Sequence, residues 1–304
     1  MRDFTLKTYI ALLEDLKKQG FSFLTFKEFI SNPLNNVIVL RHDVDLFPGN
    51  SIQFARIQAD KGIKGTYYFR IVQESYDKNI IREIYSLGHE IGYHYEDLNF
   101  AWERLKAQGT GLRAQSKELE KLVVNIGIES FKENLEKLRK IVPVKTICMH
   151  GSPMSRWDSR LLWKYYDFRD FGIVGEPYFN IDFNEVMYLT DTGRRWDGEL
   201  VSVRDKAQGS GLRAQGIDQF KDWKVKPLTS HLAPSTAYLN SLPKFHSTFD
   251  IIRGAVEGML LNKIMMTFHP QRWTDKPVPW IKELVWQNMK NVGKYFLIRL
   301  RGED

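Results

Sequence analysis

The chain reads as an α/β protein whose parallel sheet, covered by helices, closes or nearly closes into a β/α barrel. Three observations predict this class. Strand-like and helix-like stretches alternate along most of the 304 residues. The strand-like stretches are short and apolar on both faces, as strands buried within a parallel sheet are. Four of them also end in an Asp or a His, and the C-terminal strand ends are where a β/α barrel assembles its active site.

Taken in order, the first element is an amphipathic helix. Phe4, Tyr9, Ile10, Leu12, Leu13 and Leu16 recur at helical spacing and are interrupted by Glu14 and Asp15, which does not match the continuous apolar core of a secretory leader. A cytoplasmic protein is the expectation. Strands are predicted at 37–41, 65–70, 90–94, 145–149, 172–175, 186–190 and 263–268. Helices are predicted at 51–61, 79–87, 116–141, 159–166, 246–259 and 279–295. Seven or so strand–helix repeats favour a barrel over an open sheet. No Pro/Gly/Ser-rich linker divides the chain, so one domain over 1–304 is expected. The longest apolar runs, such as Val37 to Leu40, fall far short of the roughly 20 residues a membrane span needs, so no transmembrane segment is expected.

Composition narrows the function classes. Hydrophobic residues at 43% and charged residues at 27% exclude global disorder. The single Cys148 cannot form an internal disulfide, which suits a reducing compartment; within the apolar run Val144 to Met149 it reads as a buried, inert thiol. The net charge of +7 suggests an anionic partner until its source is traced. The segment Lys106 to Gln115, KAQGTGLRAQ, recurs as KAQGSGLRAQ at Lys206 to Gln215, and each copy carries one Lys, one Arg and no acid. These two low-complexity insertions leave +3 for the rest. No basic run interleaved with aromatics marks a nucleic-acid face, so no nucleic-acid partner is expected.

The chemistry-bearing residues lie at the strand ends. VIVLRHDVDLFPG delivers Asp43 and Asp45 two residues apart before a Pro-Gly turn. Two carboxylates held together repel unless a cation relieves them, and a divalent metal is the natural relief. The alternative is that one Asp caps the next helix while the other pairs with Arg41. In LGHEIGYHYEDLNF, His89 precedes a strand and reads as a turn residue. His94 closes that strand as a metal ligand, with Glu96 and Asp97 as further acids near the mouth. KTICMHGSPMSRW ends a strand at His150, which is either a ligand or a loop His bonded to backbone. KIMMTFHPQRW ends at His269, placed to protonate a leaving amine, with Trp273 on the rim. YLTDTGRRWDGELVSVRD adds Arg194, Arg195 and Trp196, which suit either a sugar carrying an anionic group or a surface salt-bridge cluster.

At these residues the chain resembles the NodB-homology polysaccharide deacetylases, the carbohydrate esterase family 4 superfamily. The order of an Asp-rich strand end, a Gly-x-His strand and a late strand ending in His is similar. LRHDVD, with GIKGTYYF and GHEIGYH downstream, looks most like the Asp-Val-Asp branch that includes lipid-linked aminoarabinose deformylases. The likeness runs from about Val37 to Trp273. It implies a distorted (β/α)7 barrel of the glycoside hydrolase/deacetylase type. The implied reaction removes an N-acyl group, typically acetyl, from an amino sugar, with a divalent metal, zinc in most of the family. Carried over, Asp43 matches the base and His269 the acid. Asp45 matches the acidic metal ligand, although the common motif is adjacent Asp-Asp, and His94 matches the first His of a His-x-x-x-His pair. The second His of that pair would fall at Leu98, which cannot bind metal, so Asp97, His150 or a water would have to complete the shell. The family's Arg-Pro-Pro-type motif is replaced by His150-Gly151-Ser152-Pro153. The expected partner is a carbohydrate, nucleotide- or lipid-linked in view of the missing leader. The alternative is a catalytically impaired carbohydrate-binding relative.

Overall fold

The computed structural model describes residues 2–108, 117–151, 155–196, 222–225 and 243–301, with side chains only as far as residue 291 in the last helix. Most of the first insertion and all of the second lie outside the described residues; Lys106 and Ala107 close a helix.

The elements run α1 (Leu6–Lys18), β1 (Ser22–Leu24), α2 (Phe26–Ser31), β2 (Val37–Val44), α3 (Pro48–Asp60), β3 (Thr66–Phe69), α4 (Lys78–Ser86), β4 (Glu90–Tyr95), α5 (Asp97–Ala107), α6 (Lys117–Arg139), β5 (Ile147–Met149), α7 (Leu162–Tyr165), α8 (Pro177–Asn180), β6 (Met187–Thr190), α9 (Thr248–Val256), β7 (Lys263–Phe268) and α10 (Pro277–Arg301). All strand pairings are parallel, in the order β5-β4-β3-β2-β7-β6. The short β1 pairs with the first half of β2, on the edge that β3 takes over further along.

Local chemistry explains the boundaries. Thr5 caps α1 by accepting from the Thr8 amide, and Tyr9, Leu12, Leu13 and Leu16 are buried on one side of that helix. Thr25 and Glu28 form a reciprocal capping box on α2. Asp77 caps α4, and Ser247 with Asp250 boxes α9. The predicted strand at 172–175 does not form. Asp167 instead caps a 3-10 turn over Phe168–Phe171, and Gly172 ends it at φ +68°, a left-handed backbone that glycine adopts without penalty. Only Gly175 pairs, through an isolated bridge to Thr146.

Side-chain parity divides the core in two. Val37 and Val39 of β2, Tyr68 of β3, Cys148 of β5 and Met265 of β7 face one side of the sheet. Ile38, Leu40 and Val44 face the other, where α1 and α3 cover them. The first side is concave. β5 is three strands from β2, about 14 Å on a flat sheet, yet His150 just after β5 reaches to 3.6 Å from Asp45 just after β2. The sheet is thus a curled, parallel half-barrel flanked by helices. Among the described residues no pairing joins β5 to β6.

Candidate metal centre

The hollow of the half-barrel is built by register. Asp43 lies beside Tyr68, Tyr68 beside Gly92, and His94 beside Cys148. A Cβ at Gly92 would sit 2.3 Å from the Tyr68 ring. Glycine is therefore what lets that ring lie beneath the polar groups. The Arg41 guanidinium stacks over Tyr68 and Tyr178, 5.9 Å from each ring centre.

Above this floor three imidazoles converge on Asp45. His94 Nδ1 donates to the Cys148 carbonyl at 2.9 Å. His150 Nδ1 donates to Glu96 Oε2 at 3.0 Å, and His269 Nδ1 to Asp191 Oδ1 at 2.5 Å. Each ring spends its one proton outward, so in the neutral form each Nε2 carries a bare lone pair. Those lone pairs point at Asp45. The Nε2 atoms of His94 and His150 are both 3.6 Å from Asp45 Oδ1, and that of His269 is 3.9 Å from Oδ2. Asp45 Oδ1 is buried and has no hydrogen-bond partner among the described residues. A carboxylate oxygen facing two imidazole lone pairs without a proton between them is repulsive by itself and becomes favourable around a cation.

Electrostatics keep the donors in the forms a metal binds. Burial holds the His94 imidazole neutral, its pKa pushed down to about 4. Burial works to raise the Asp45 carboxyl, but the positive charge that the facing imidazoles carry when protonated, His150 foremost, outweighs it and holds it below the ordinary range. Asp45, His94 and His150 place one ligand atom each within 4.8 Å of one another, as do Asp43, His94 and Cys148. The first set fits better. Burial raises the Cys148 thiol far above its usual range, so it stays protonated. Asp43 is already engaged, accepting from Arg41 Nε at 2.8 Å and Nη2 at 2.6 Å.

Asp43 thus follows half of the bland alternative raised by the sequence. It pairs with Arg41, while α3 begins at Pro48 with Phe47 at its N-cap and no side-chain cap. Arg41 outweighs the upward push of burial and keeps the carboxyl well below the ordinary range, so Asp43 stays anionic, its Oδ2 3.7 Å from His94 Nε2. On the other flank Asp191 fixes His269 twice, accepting from its ring and from its backbone N–H at 2.9 Å. Asp191 in turn accepts from Trp273 Nε1 and Arg272 Nη1. The side chains of Asp45 (19% exposed), His150 (15%) and His269 (12%) reach solvent where His94 (2%) and Asp43 (6%) do not. The centre is open on that side.

Several expected site residues are not brought here. Asp97 points into the α5–α6 seam, where it accepts from Tyr93, Ser130 and Asn134, and burial raises it to about 6. Leu98 packs against Gly127 of α6, because α5 begins at Asp97 and turns the position away from the hollow. Trp273 is buried against Phe4 and Phe268, and Trp196 donates to Thr248 within the same aromatic cluster, so neither forms a sugar-stacking rim. Arg194 lies over the Trp280 and Phe4 rings, and Arg195 contacts His246 at 3.3 Å. His89, the expected turn residue, binds the Gly65 amide and the Ala55 carbonyl.

No protein-family profile and no curated protein matches the chain. The centre's chemistry therefore rests on its own side chains. Three groups that matter to it, Arg41, Glu96 and Asp191, are not among the ligands and acid-base residues named from sequence. Arg41 was raised only as an ion-pair partner of one Asp, and Glu96 and Asp191 each stand one residue past a strand end.

Proposed function

We propose that this chain is a metal-dependent hydrolase that removes an N-acyl group, acetyl first among candidates, from an amino sugar or sugar conjugate, in the manner of the NodB-homology polysaccharide deacetylases. The observation that carries the proposal is the unpaired, buried Asp45 Oδ1 lying 3.6 Å from the bare Nε2 of both His94 and His150. Asp45, His94 and His150 would hold the metal, a carboxylate-and-two-imidazole set that suits zinc and matches the three protein ligands of catalytic zinc sites. His150 takes the role that the family motif gives to position 98. A bound metal supplies Lewis acidity toward an amide carbonyl and lowers the pKa of water.

The chain's own residues divide the remaining work. Asp43 is the anionic group next to the ligands and accepts the proton of the attacking water; Arg41 holds it ionised and aimed, at some cost in basicity. His269, whose Nδ1–H is held by Asp191, delivers a proton from Nε2 to the departing nitrogen when its ring is doubly protonated, a cation that Asp191 stabilises, and is left as the neutral Nδ1–H tautomer. Glu96, itself paired with Arg70 at 2.5 Å, orients His150 as a carboxylate–histidine–metal relay does. In this reading the half-barrel is a distorted (β/α)7 barrel, the protein works in the cytoplasm, and its substrate is a nucleotide- or lipid-linked sugar. The binding-only alternative drew on the missing ligand at Leu98 and on a Trp/Arg rim; His150 and the burial of Trp196 and Trp273 weaken both supports.

The test is amine release from a panel of N-acetyl and N-formyl amino sugars, free, nucleotide-linked and lipid-linked. Release that is abolished by chelation and restored by zinc is expected. A zinc-loaded protein inert across that panel would overturn the proposal.

A further inference from the structure

The C-terminal helix α10 is attached the wrong way round for a soluble protein. Among the described residues, the contacts that hold it to the body are hydrogen bonds and cation–ring contacts of Trp280 with Arg194 and Arg2. Trp280 Nε1 donates to the Asp3 carbonyl at 2.8 Å, Arg194 Nη1 donates to the Trp280 carbonyl at 2.9 Å, and Asn291 Nδ2 donates to the Gly193 carbonyl at 3.1 Å. Gln287 is buried on the same side. The opposite side carries Val278, Ile281, Val285, Trp286 and Met289, each 52% to 61% exposed. At about 100° per residue, Val278, Ile281, Val285 and Met289 form one stripe with Trp286 at its edge. A helix on a soluble domain buries such a stripe and shows its polar side to water, and a large apolar patch left outside marks an interaction surface.

The charges on the stripe say what covers it. Lys282 stands inside it, four residues after Val278 and four before Trp286, and is exposed. Lysine is depleted from the cores of protein–protein interfaces. At a lipid surface, however, its stem runs along the apolar face while its ammonium reaches the headgroups. Lys290 Nζ sits 4.9 Å over the Trp286 ring, pairing a cation with the aromatic type that prefers the bilayer boundary. Over Pro277–Arg301 the sequence has five basic residues and one acidic, four of the chain's seven net positive charges. Among the described residues no helix is long and apolar enough to cross a membrane.

We propose that α10 is an interfacial helix that docks the protein on an anionic bilayer, its apolar stripe set into the headgroup–acyl boundary and its lysines on lipid phosphates. None of these residues lines the metal centre, so the proposal holds or fails independently of the hydrolase.

The test is sedimentation of the full chain with vesicles of phosphatidylcholine alone or with about a third phosphatidylglycerol, at low and high salt. Two double variants are compared: Ile281→Asp with Met289→Asp, and Lys282→Glu with Lys290→Glu. All four positions are exposed, and an unchanged melting temperature and circular dichroism spectrum establish that the variants fold. Expected are binding to the anionic vesicles, weaker binding at high salt, and a loss of about tenfold or more in each double variant. No binding to anionic vesicles would overturn the proposal, as would binding that both variants retain. So would a wild-type dimer in light scattering that the Asp variant splits while vesicles bind neither form, since a second copy would then cover the stripe.

Discussion

Replacing Asp43 by Asn separates its structural role from its chemical one. The Arg41 and Asp43 side chains are 4% and 6% exposed and joined by two hydrogen bonds at 2.8 and 2.6 Å. Removing the anion leaves a buried guanidinium whose remaining neighbours include the Tyr68 and Tyr178 rings. Glu176 also feels Arg41, but burial pushes its carboxyl up to about 7, so it is poorly placed to compensate at neutral pH. Breaking one side of such a pair costs about 3–5 kcal/mol. At about 2–4 °C per kcal/mol for a chain of this size, the melting temperature should fall by about 6–20 °C. Adding Arg41→Met should recover most of that loss, because no uncompensated charge remains. Asp45→Asn should behave oppositely. In metal-free protein at pH 8 it removes a carboxylate whose buried Oδ1 has no partner and whose Oδ2 accepts a long bond from Gln271 Nε2 at 3.3 Å, and should leave stability unchanged or higher, while zinc affinity collapses. Thermal unfolding by circular dichroism, with and without zinc, reads all four forms. An Asp43→Asn protein within about 1 kcal/mol of the parent, or an Asp45→Asn protein that is the weaker of the two without metal, would refute this division of roles.

Other changes follow from the same geometry. His150→Ala should lower zinc affinity by at least about 100-fold, and adding Leu98→His should not restore it, because that position faces Gly127; calorimetric titration distinguishes a rescue from none. Gly92→Ala should cost about 1–3 kcal/mol in denaturant unfolding, since its Cβ would meet the Tyr68 ring at 2.3 Å. Glu176 gives a pH signature. Its folded pKa near 7 lies above the unfolded value of about 4.3, so its contribution is full below the unfolded value and lost as pH rises through 7. Stability of the parent relative to Glu176→Gln should therefore fall by up to about 3 kcal/mol between pH 4.5 and 8, and a flat difference would contradict the burial of that carboxyl.

Sequence periodicity exposed the strands best where they are longest and buried on both sides. β7 matches its expected span of 263–268, and β2 extends its own from Arg41 to Val44. It missed β1 and α2, whose three and six residues are too short to show a period, although the Thr25/Glu28 capping box was there to be read. It also missed α5, and with it the turn that carries Asp97 and Leu98 out of the hollow. Asp45, His94, His150 and His269 were legible because strand ends in a curled parallel sheet share one mouth. Arg41 was legible as the partner of one Asp and Glu96 as an acid near the mouth, but the pairing of Glu96 with His150 and of Asp191 with His269 was not, because a hydrogen bond linking Glu96 to a residue 54 positions away leaves no local pattern. The aromatic rim failed for a related reason. Trp196 and Trp273 look exposed when counted from strand ends, yet they pack with Phe268 into the aromatic core behind the site.

The most direct measurement is zinc titration of the full, metal-stripped chain by calorimetry, followed by X-ray absorption of the loaded protein. The account predicts one zinc per chain with two imidazole nitrogens and carboxylate oxygen in its shell. Affinity should be lost in His94→Ala, His150→Ala and Asp45→Asn, and unchanged in Cys148→Ser. Absence of binding, or a sulfur neighbour that disappears with Cys148→Ser, would contradict it.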